Sequence, residues 1–134
     1  EGLSSQDIHS LAIIPTNGGR TLVASTDNDL NISMDDGKTW QPQKMHERTP
    51  LPYYRGMAQR ADDPDVIFLG NGDYPPGTTG AAWRSNDGGR NWDQMQLPGA
   101  LNSTIWDFAV HPHDASRIYA YSIFGSVYHW TYNT

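Results

Sequence analysis

Histidine and aspartate side chains with the spacing of metal ligands occur at His111, His113 and Asp114. Alternate residues of a strand share one side, so two imidazoles and a carboxylate could converge there on a metal ion. A proline separates the two histidines, however, and HPHDAS has the composition of a turn. The acidic runs 27–29 and 62–65 lack the spacing of a calcium loop, and we expect them to be solvated turns. The sequence therefore predicts neither a metal site nor a cofactor.

A second chemically suggestive pattern, Ser-x-Asp-x-Gly-x-x-Trp, is written twice, as SMDDGKTW at 33–40 and SNDGGRNW at 85–92. Its carboxylates could act in catalysis, but the pattern fits a tight turn better. Asp can accept backbone N–H groups, Gly can take a positive φ, and Trp can cover the turn with apolar surface. A carboxylate committed to such donors is a poor proton shuttle. We predict no catalytic residue here and a structural role for Ser33, Asp35, Gly37, Trp40, Ser85, Asp87, Gly89 and Trp92.

The strands needed to position these turns also repeat along the chain. HSLAIIP, RGMAQRA and WDFAVHP align with Leu11, Met57 and Phe108 at one position. Each unit then shows a turn, a second β-like segment, a loop and a third segment. In the first two units, the Ser-x-Asp-x-Gly-x-x-Trp segment, which we call the box turn (33–40 and 85–92), leads to a fourth strand. Four antiparallel strands per roughly 50 residues are typical of a β-propeller blade. We predict an all-β chain, 1–134, made of units at about 6–53, 54–104 and 105–134, the last incomplete.

The two motifs and their flanking strands resemble the Asp-box, or BNR, repeat of sialidases, xyloglucanase-type glycosidases, sortilin-type receptors and photosystem II assembly-factor-like proteins. SMDDGKTW matches the S-x-D-x-G-x-T-W pattern fully, and SNDGGRNW has Asn91 in place of the threonine. The resemblance implies a β-propeller of which this chain supplies about two and a half blades. The remaining blades would come from the same parent chain or from further copies. It also favours a secreted or cell-envelope protein.

Successive connections in an antiparallel sheet lie alternately at its two ends, which places the candidate ligand residues on the face opposite the box turns. Three different side chains occupy one repeat position there, which is typical of individually chosen rim residues rather than of a shared core. The long segment NGDYPPGTTG (71–80) lies on the same face. We predict a ligand surface formed by His9, Tyr54, Arg55, Asp73, Tyr74, Trp106 and Asp107. In the alternative interpretation, the aromatic residues pack between blades and the arginine pairs with a carboxylate.

Composition limits the partners. The net charge is −6 and the nine Lys and Arg residues are dispersed, which argues against nucleic-acid binding. No apolar run is long enough to span a membrane, and without cysteine the chain has neither disulfides nor thiol chemistry.

Two functions remain open. A non-catalytic binding or assembly propeller would hold a protein, peptide or glycan on its rim, where aromatic residues and arginine suit recognition. Alternatively, the chain belongs to a sialidase- or xyloglucanase-like glycoside hydrolase. Hydrolysis needs two carboxyl groups across a sugar, and no unit shows a recognisable acid and base pair. The binding propeller is therefore the preferred prediction.

Overall fold

The computed structural model describes residues 1–99 and 101–131, which form three antiparallel sheets. Within each sheet, neighbouring strands follow one another in sequence. The first sheet contains β1 (Ile8–Thr16), β2 (Gly19–Thr26), β3 (Leu30–Ser33) and β4 (Gln41–Pro42); the second contains β5 (Tyr53–Arg60), β6 (Asp63–Gly72), β7 (Gly80–Ser85) and β8 (Asp93–Met95); the third contains β9 (Ile105–Val110), β10 (Arg117–Ser122) and β11 (Val127–Thr131). The prediction of an all-β chain built from antiparallel sheets is confirmed: within residues 1–99 and 101–131, two sheets have four strands and one has three.

The sheets are stacked through two apolar layers, because alternate residues of each strand point to opposite sides of the sheet. In β1, Ala12 and Ile14 are buried, whereas Leu11 and Ile13 on the other side of the strand remain exposed. The first layer joins sheets one and two through Ala12, Ile14, Val23, Leu30, Ile32, Met45, Tyr54, Met57, Ile67, Leu69, Ala81 and Trp83. The second joins sheets two and three through Val66, Phe68, Ala82, Ile105, Phe108, Ile118, Ala120 and Tyr128. Each Val, Leu, Ile, Phe or Met side chain among them contributes about 1.5–3 kcal/mol when fully buried.

One acidic residue that we expected in a solvated turn is instead a structural anchor. Asp29 is 6% exposed. Its carboxylate accepts the backbone N–H groups of Leu30 at 2.8 Å and of Lys44 and Met45 at 2.9 Å. These bonds hold the connection between the first two sheets, which contains a single 3-10 turn at Met45–Glu47. The expectation for this residue was wrong because three amide donors replace its hydration.

The two faces of the stack are distinguished by contacts between loops. On one face, the Arg20 guanidinium donates to Asp36 at 3.0 Å, which ties the β1–β2 turn to the first SxDxGxxW turn. On the other face, the Asp27 N–H donates to the Asp7 carbonyl and the Asp27 carbonyl accepts the Tyr54 N–H, both at 3.2 Å. We call the first the box face and the second the rim face. Among the described residues, no helix is long and apolar enough to cross a membrane.

Candidate functional site

The first strand of every sheet is irregular at the same place on the rim face. In β1, Ile8 pairs with Thr26 and Ser10 with Ser25, so His9 is an extra residue in the ladder. The corresponding shift in β5 falls between Tyr54 and Met57, at Arg55 and Gly56. In β9, the shift falls at Trp106, between Ile105 and Asp107. Each shift has the pattern of a β-bulge, which re-aims a side chain away from the regular pleat.

The three bulges bring His9, Arg55 and Trp106 into a continuous row, which we call the rim row. Arg55 Nη1 lies 3.0 Å from His9 Nε2, and the guanidinium carbon of Arg55 lies 3.7 Å from the centre of the Trp106 ring. The row therefore spans all three sheets. Position equivalence in the repeat predicted that these residues share a face, and the structure brings them into direct contact.

His9 sits below the guanidinium as a buried support. Its side chain is 6% exposed, and its ring meets the Tyr53 ring edge-on with centroids 5.6 Å apart. Nδ1 lies 2.8 Å from the Tyr54 carbonyl oxygen. With the proton on Nδ1, the ring donates to that carbonyl and accepts the Arg55 N–H at Nε2. Asp7 places a carboxylate oxygen 3.2 Å from the same Nε2.

The charge of Arg55 is left without a direct carboxylate partner. Its Nη1 group donates to the Tyr53 hydroxyl at 3.0 Å as well as contacting His9, and its third partner is the Trp106 ring. Within residues 1–99 and 101–131, no carboxylate oxygen lies within 4 Å of this guanidinium. The alternative interpretation, in which Arg55 pairs with a carboxylate, is not what the structure shows.

Asp107 is packed against the backbone of β5 next to the rim row. A side-chain carbon added to Gly56 would lie 2.3 Å from Asp107 Oδ1 and 2.6 Å from the Trp106 carbonyl oxygen, so only glycine permits this approach. Burial raises the pKa of Asp107, while the Phe108 N–H and the Arg55 charge act in the opposite direction. The site thus combines a partly buried carboxyl group with a cation on an aromatic surface.

Tyr54, one of the predicted ligand residues, has its side chain in the core. It is 0% exposed, and its hydroxyl lies 2.5 Å from Thr49 Oγ1. Burial raises the pKa of this phenol. The residue reaches the rim row only through its carbonyl oxygen, which lies beside His9. Alternation along β5 explains the difference, because Tyr54 and Arg55 point to opposite sides of the strand.

Asp73 and Tyr74 lie in a separate, internally braced loop between β6 and β7. The Asp73 carboxylate accepts the Thr78 N–H at 3.0 Å, the Thr78 hydroxyl at 2.8 Å and the Thr79 N–H at 3.2 Å. The Thr78 hydroxyl and N–H are the main reason that the pKa of Asp73 falls to about 2. Tyr74 is 69% exposed, and its carbonyl accepts the Thr104 hydroxyl at 2.9 Å. The loop is therefore anchored two residues away from Trp106.

The first box turn, residues 33–40, is held by a closed set of hydrogen bonds. Asp35 accepts the Ser33 hydroxyl at 2.9 Å, the Thr39 N–H at 2.8 Å and the Thr39 hydroxyl at 2.6 Å. The Thr39 donors lower the pKa of Asp35 to about 2. Gly37 has a φ of 88°, and its carbonyl accepts the Trp40 indole N–H at 3.1 Å. All four motif residues stabilise the turn on the face away from the rim row.

The second box turn, residues 85–92, repeats these bonds with a different donor. Ser85 donates to Asp87 at 2.8 Å, and Trp92 donates to the Gly89 carbonyl at 3.1 Å. Asn91 takes the place of the threonine, giving its N–H at 2.9 Å and its side-chain amide at 2.6 Å to Asp87. Burial raises the pKa of Asp87, but the Asn91 and Ser85 hydrogen bonds outweigh it and the pKa is lowered.

The histidine-rich segment forms a turn between β9 and β10. The His113 N–H donates to His111 Nδ1 at 3.1 Å, and Asp114 pairs with Arg117 at 3.0 Å. These contacts engage the His111 ring and the Asp114 carboxylate, two of the three side chains that resemble metal ligands. In the described part of the chain, no group of three or more acidic or histidine side chains is arranged to hold a metal ion.

Comparison with known proteins identifies structures of the same fold but no family or close relative. No family model matches the sequence, and no curated protein matches it. The solved structure of an ancestral GH74 enzyme matches with a TM-score of 0.77 and 16% identity, covering 97% of this chain and 18% of that chain. The structure of YCF48 bound to D1 peptide matches with a TM-score of 0.67 and 16% identity, covering 98% of this chain and 40% of that one.

The chain has the fold of a partial β-propeller. It spans less than half the length of either structural neighbour. At this level of identity the likeness extends to the fold alone, since one propeller architecture supports unrelated functions. The prediction of propeller blades is confirmed.

Proposed function

We propose that this chain is the Asp-box part of a non-catalytic binding or assembly propeller, with a ligand surface centred on the rim row. Its ligand is a protein, peptide or glycan that contacts the Trp106 ring and the Arg55 guanidinium. Asp107 and the Tyr74 loop border this surface. Propellers carry their ligands on rigidly held rims, where loops and strand ends of several blades meet.

A single observation carries the proposal: a guanidinium without a carboxylate partner lies over an aromatic ring, and residues from three sheets contribute to this contact. Neither Arg55 nor Trp106 is fully buried. Arginine and tryptophan are the residues most enriched at binding hot spots, because they offer large contact area and directional donors. A β-bulge at the equivalent position of all three sheets directs these side chains toward one another, and such bulges are common beside functional sites.

The structural neighbours bear on the class of ligand. YCF48 is seen bound to a peptide, and it shares the fold of nearly the whole chain. A peptide is accordingly the first ligand class to test. The GH74 enzyme shares the same fold, so a glycoside hydrolase is the alternative function to test.

The binding proposal is tested by incubating the 134-residue chain with arrays of peptides and glycans. We expect retention of specific array members by the parent chain and a loss of at least about tenfold in affinity for Trp106→Ala, as for a hot-spot residue. Met34→Ala is the matched control, since Met34 is 73% exposed on the box face. Equal binding by the parent chain and Trp106→Ala would place the ligand surface elsewhere.

The hydrolase alternative rests on Asp107, because a half-buried carboxyl group with a raised pKa suits a general acid. Hydrolysis requires a second carboxyl group across the sugar. Turnover of a chromogenic glycoside by the chain, abolished in Asp107→Asn with folding intact, would favour this function over the binding propeller.

A further inference from the structure

We propose that Arg55 binds a carboxylate group of the ligand through its Nε and Nη2 edge. This inference rests on the proposed binding function and names the chemical group that the rim row recognises. In this inference, Nη1 of Arg55 holds the guanidinium in place, and Nε and Nη2 bind the ligand.

The guanidinium is fixed before any ligand arrives. Both protein hydrogen bonds of Arg55 leave from Nη1, one toward His9 Nε2 and one to the Tyr53 hydroxyl, each at 3.0 Å. The centre of the Trp106 ring lies 3.7 Å from the guanidinium carbon and covers one side of the group. Two hydrogen bonds at one corner and a stacked ring leave little rotational freedom, so the ordering cost of binding is largely met in advance.

The opposite edge of the guanidinium is available. Nε and Nη2 donate to no acceptor within residues 1–99 and 101–131. These two groups form the fork that fits a carboxylate with two parallel N–H···O bonds. Arg20, Arg60 and Arg117 show the usual arrangement in this chain, since each has its Nε within 3.0 Å of an aspartate oxygen. Arg55 keeps the same fork free, although it is partly buried and a buried charge favours a partner.

The surroundings favour a single planar monoanion over a phosphate or sulfate. Asp7 lies 3.2 Å from His9 Nε2, the atom that Arg55 contacts, and Asp107 is close enough to interact electrostatically with Arg55. A group carrying two charges would meet repulsion from both carboxyl groups, while one guanidinium neutralises one charge. A carboxylate matches both the geometry of the fork and the charge that it can compensate.

The inference is tested by recording the side-chain Nε–H signal of Arg55 in ¹H–¹⁵N spectra of the 134-residue chain. The probes are sodium acetate, sodium phosphate and, as the ionic-strength control, sodium chloride. We expect a saturable shift of this signal with acetate, a weaker response to phosphate and no saturation with chloride. Arg55→Lys, which keeps the charge and loses the fork, should reduce acetate affinity by at least about tenfold. Arg20→Lys is the matched control and should leave the affinity unchanged.

Further probes distinguish the source of the carboxylate. N-acetyl-glycylglycine with a free carboxylate is compared with its amide and with a methyl glucuronide. Tighter binding of the free peptide acid supports a peptide carboxylate, and tighter binding of the glucuronide supports an acidic sugar. In both cases the recognised group is a carboxylate.

An Arg55 signal that responds equally to acetate and chloride, or more strongly to phosphate than to acetate, overturns the inference. The titration of the parent chain decides this even where Arg55→Lys fails to fold. If array ligands bind in a Trp106-dependent way while acetate leaves the Arg55 signal unchanged, the proposed binding function stands and only the inference of a carboxylate ligand is wrong.

Discussion

Asn91 shows, at the scale of a single residue, how the box turns tolerate variation. In the first turn, Asp35 is bound by both the N–H and the hydroxyl of Thr39. In the second, Asn91 gives Asp87 the same two donors, its N–H and a side-chain amide. The requirement at this position is a side-chain donor of short reach, and the departure from the motif therefore costs no hydrogen bond.

Substitution of Asn91 tests that interpretation. Asn91→Thr should change the free energy of unfolding by no more than about 0.5 kcal/mol, since a donor to Asp87 is retained. Asn91→Ala should lower it by about 0.5–1.5 kcal/mol, because it loses one solvent-exposed hydrogen bond to Asp87. Urea denaturation of the two variants beside the parent chain measures both values. Equal destabilisation by threonine and alanine would show that the amide has a role other than this bond.

At the scale of an element, the loop between β6 and β7 depends on the ionised state of Asp73. Its hydrogen bonds to Thr78 and Thr79 lower the folded-state pKa from 3.8 to about 2. A carboxyl group with a lowered folded-state pKa stabilises the fold above its unfolded pKa, and this contribution is lost as the pH falls through the folded value. The loop should accordingly open on acidification toward pH 2.

Amide hydrogen exchange detects this opening. The Thr78 and Thr79 amides should lose protection as the pH falls from about 4 to about 2, at a pH where the amide of core residue Val23 remains protected. Asp73→Asn should reduce protection at these two amides already at neutral pH and remove the pH dependence. Unchanged protection in that variant would contradict the assignment of Asp73 as the acceptor that closes the loop.

The close approach of β5 and β9 is a second property of elements, and Gly56 makes it possible. Gly56→Ala places a methyl group within 2.6 Å of the Trp106 carbonyl and nearer still to Asp107. We expect it to lower the free energy of unfolding by at least about 2 kcal/mol and to disturb the Trp106 indole N–H signal. Gly19→Ala is the control, because its nearest neighbour is Thr16 Oγ1 at 3.9 Å. If Gly56→Ala leaves the free energy of unfolding unchanged, β9 can shift to accommodate the methyl group without loss of stability.

Sequence patterns predicted the strands well and the contacts of the rim only in part. Alternating apolar residues and recurring box turns identify the blades, because both depend on local spacing. The repeat also placed His9, Arg55 and Trp106 at one position. It gave no sign that β-bulges would turn these side chains toward one another, since a bulge depends on pairing with a distant strand. For the same reason, it missed the Tyr53 hydroxyl as a partner. It also placed Tyr54 on the surface, although alternation along β5 points Tyr54 and Arg55 to opposite sides of the strand.

At the scale of the whole molecule, the two outer faces of the stack are unevenly covered. Leu11 is 54% exposed, whereas its repeat equivalents Met57 and Phe108 are 8% and 7% exposed because each packs on the preceding sheet. Within the described residues, no sheet precedes β1. At the other end of the stack, Tyr121 and Val127 are 41% and 70% exposed. Both end faces thus have the apolar character of an interface between blades.

We therefore predict that further blades, from the same parent chain or from other copies, cover these faces, and that the 134-residue chain alone self-associates through them. Light scattering coupled to size exclusion should give a mass above the 14.9 kDa of one chain, rising with concentration. Leu11→Lys should lower that mass, because a charge placed in an apolar contact must be desolvated. Met34→Lys adds the same charge on the box face and should not lower it. A strictly monomeric particle that melts cooperatively would show that the end faces need no partner.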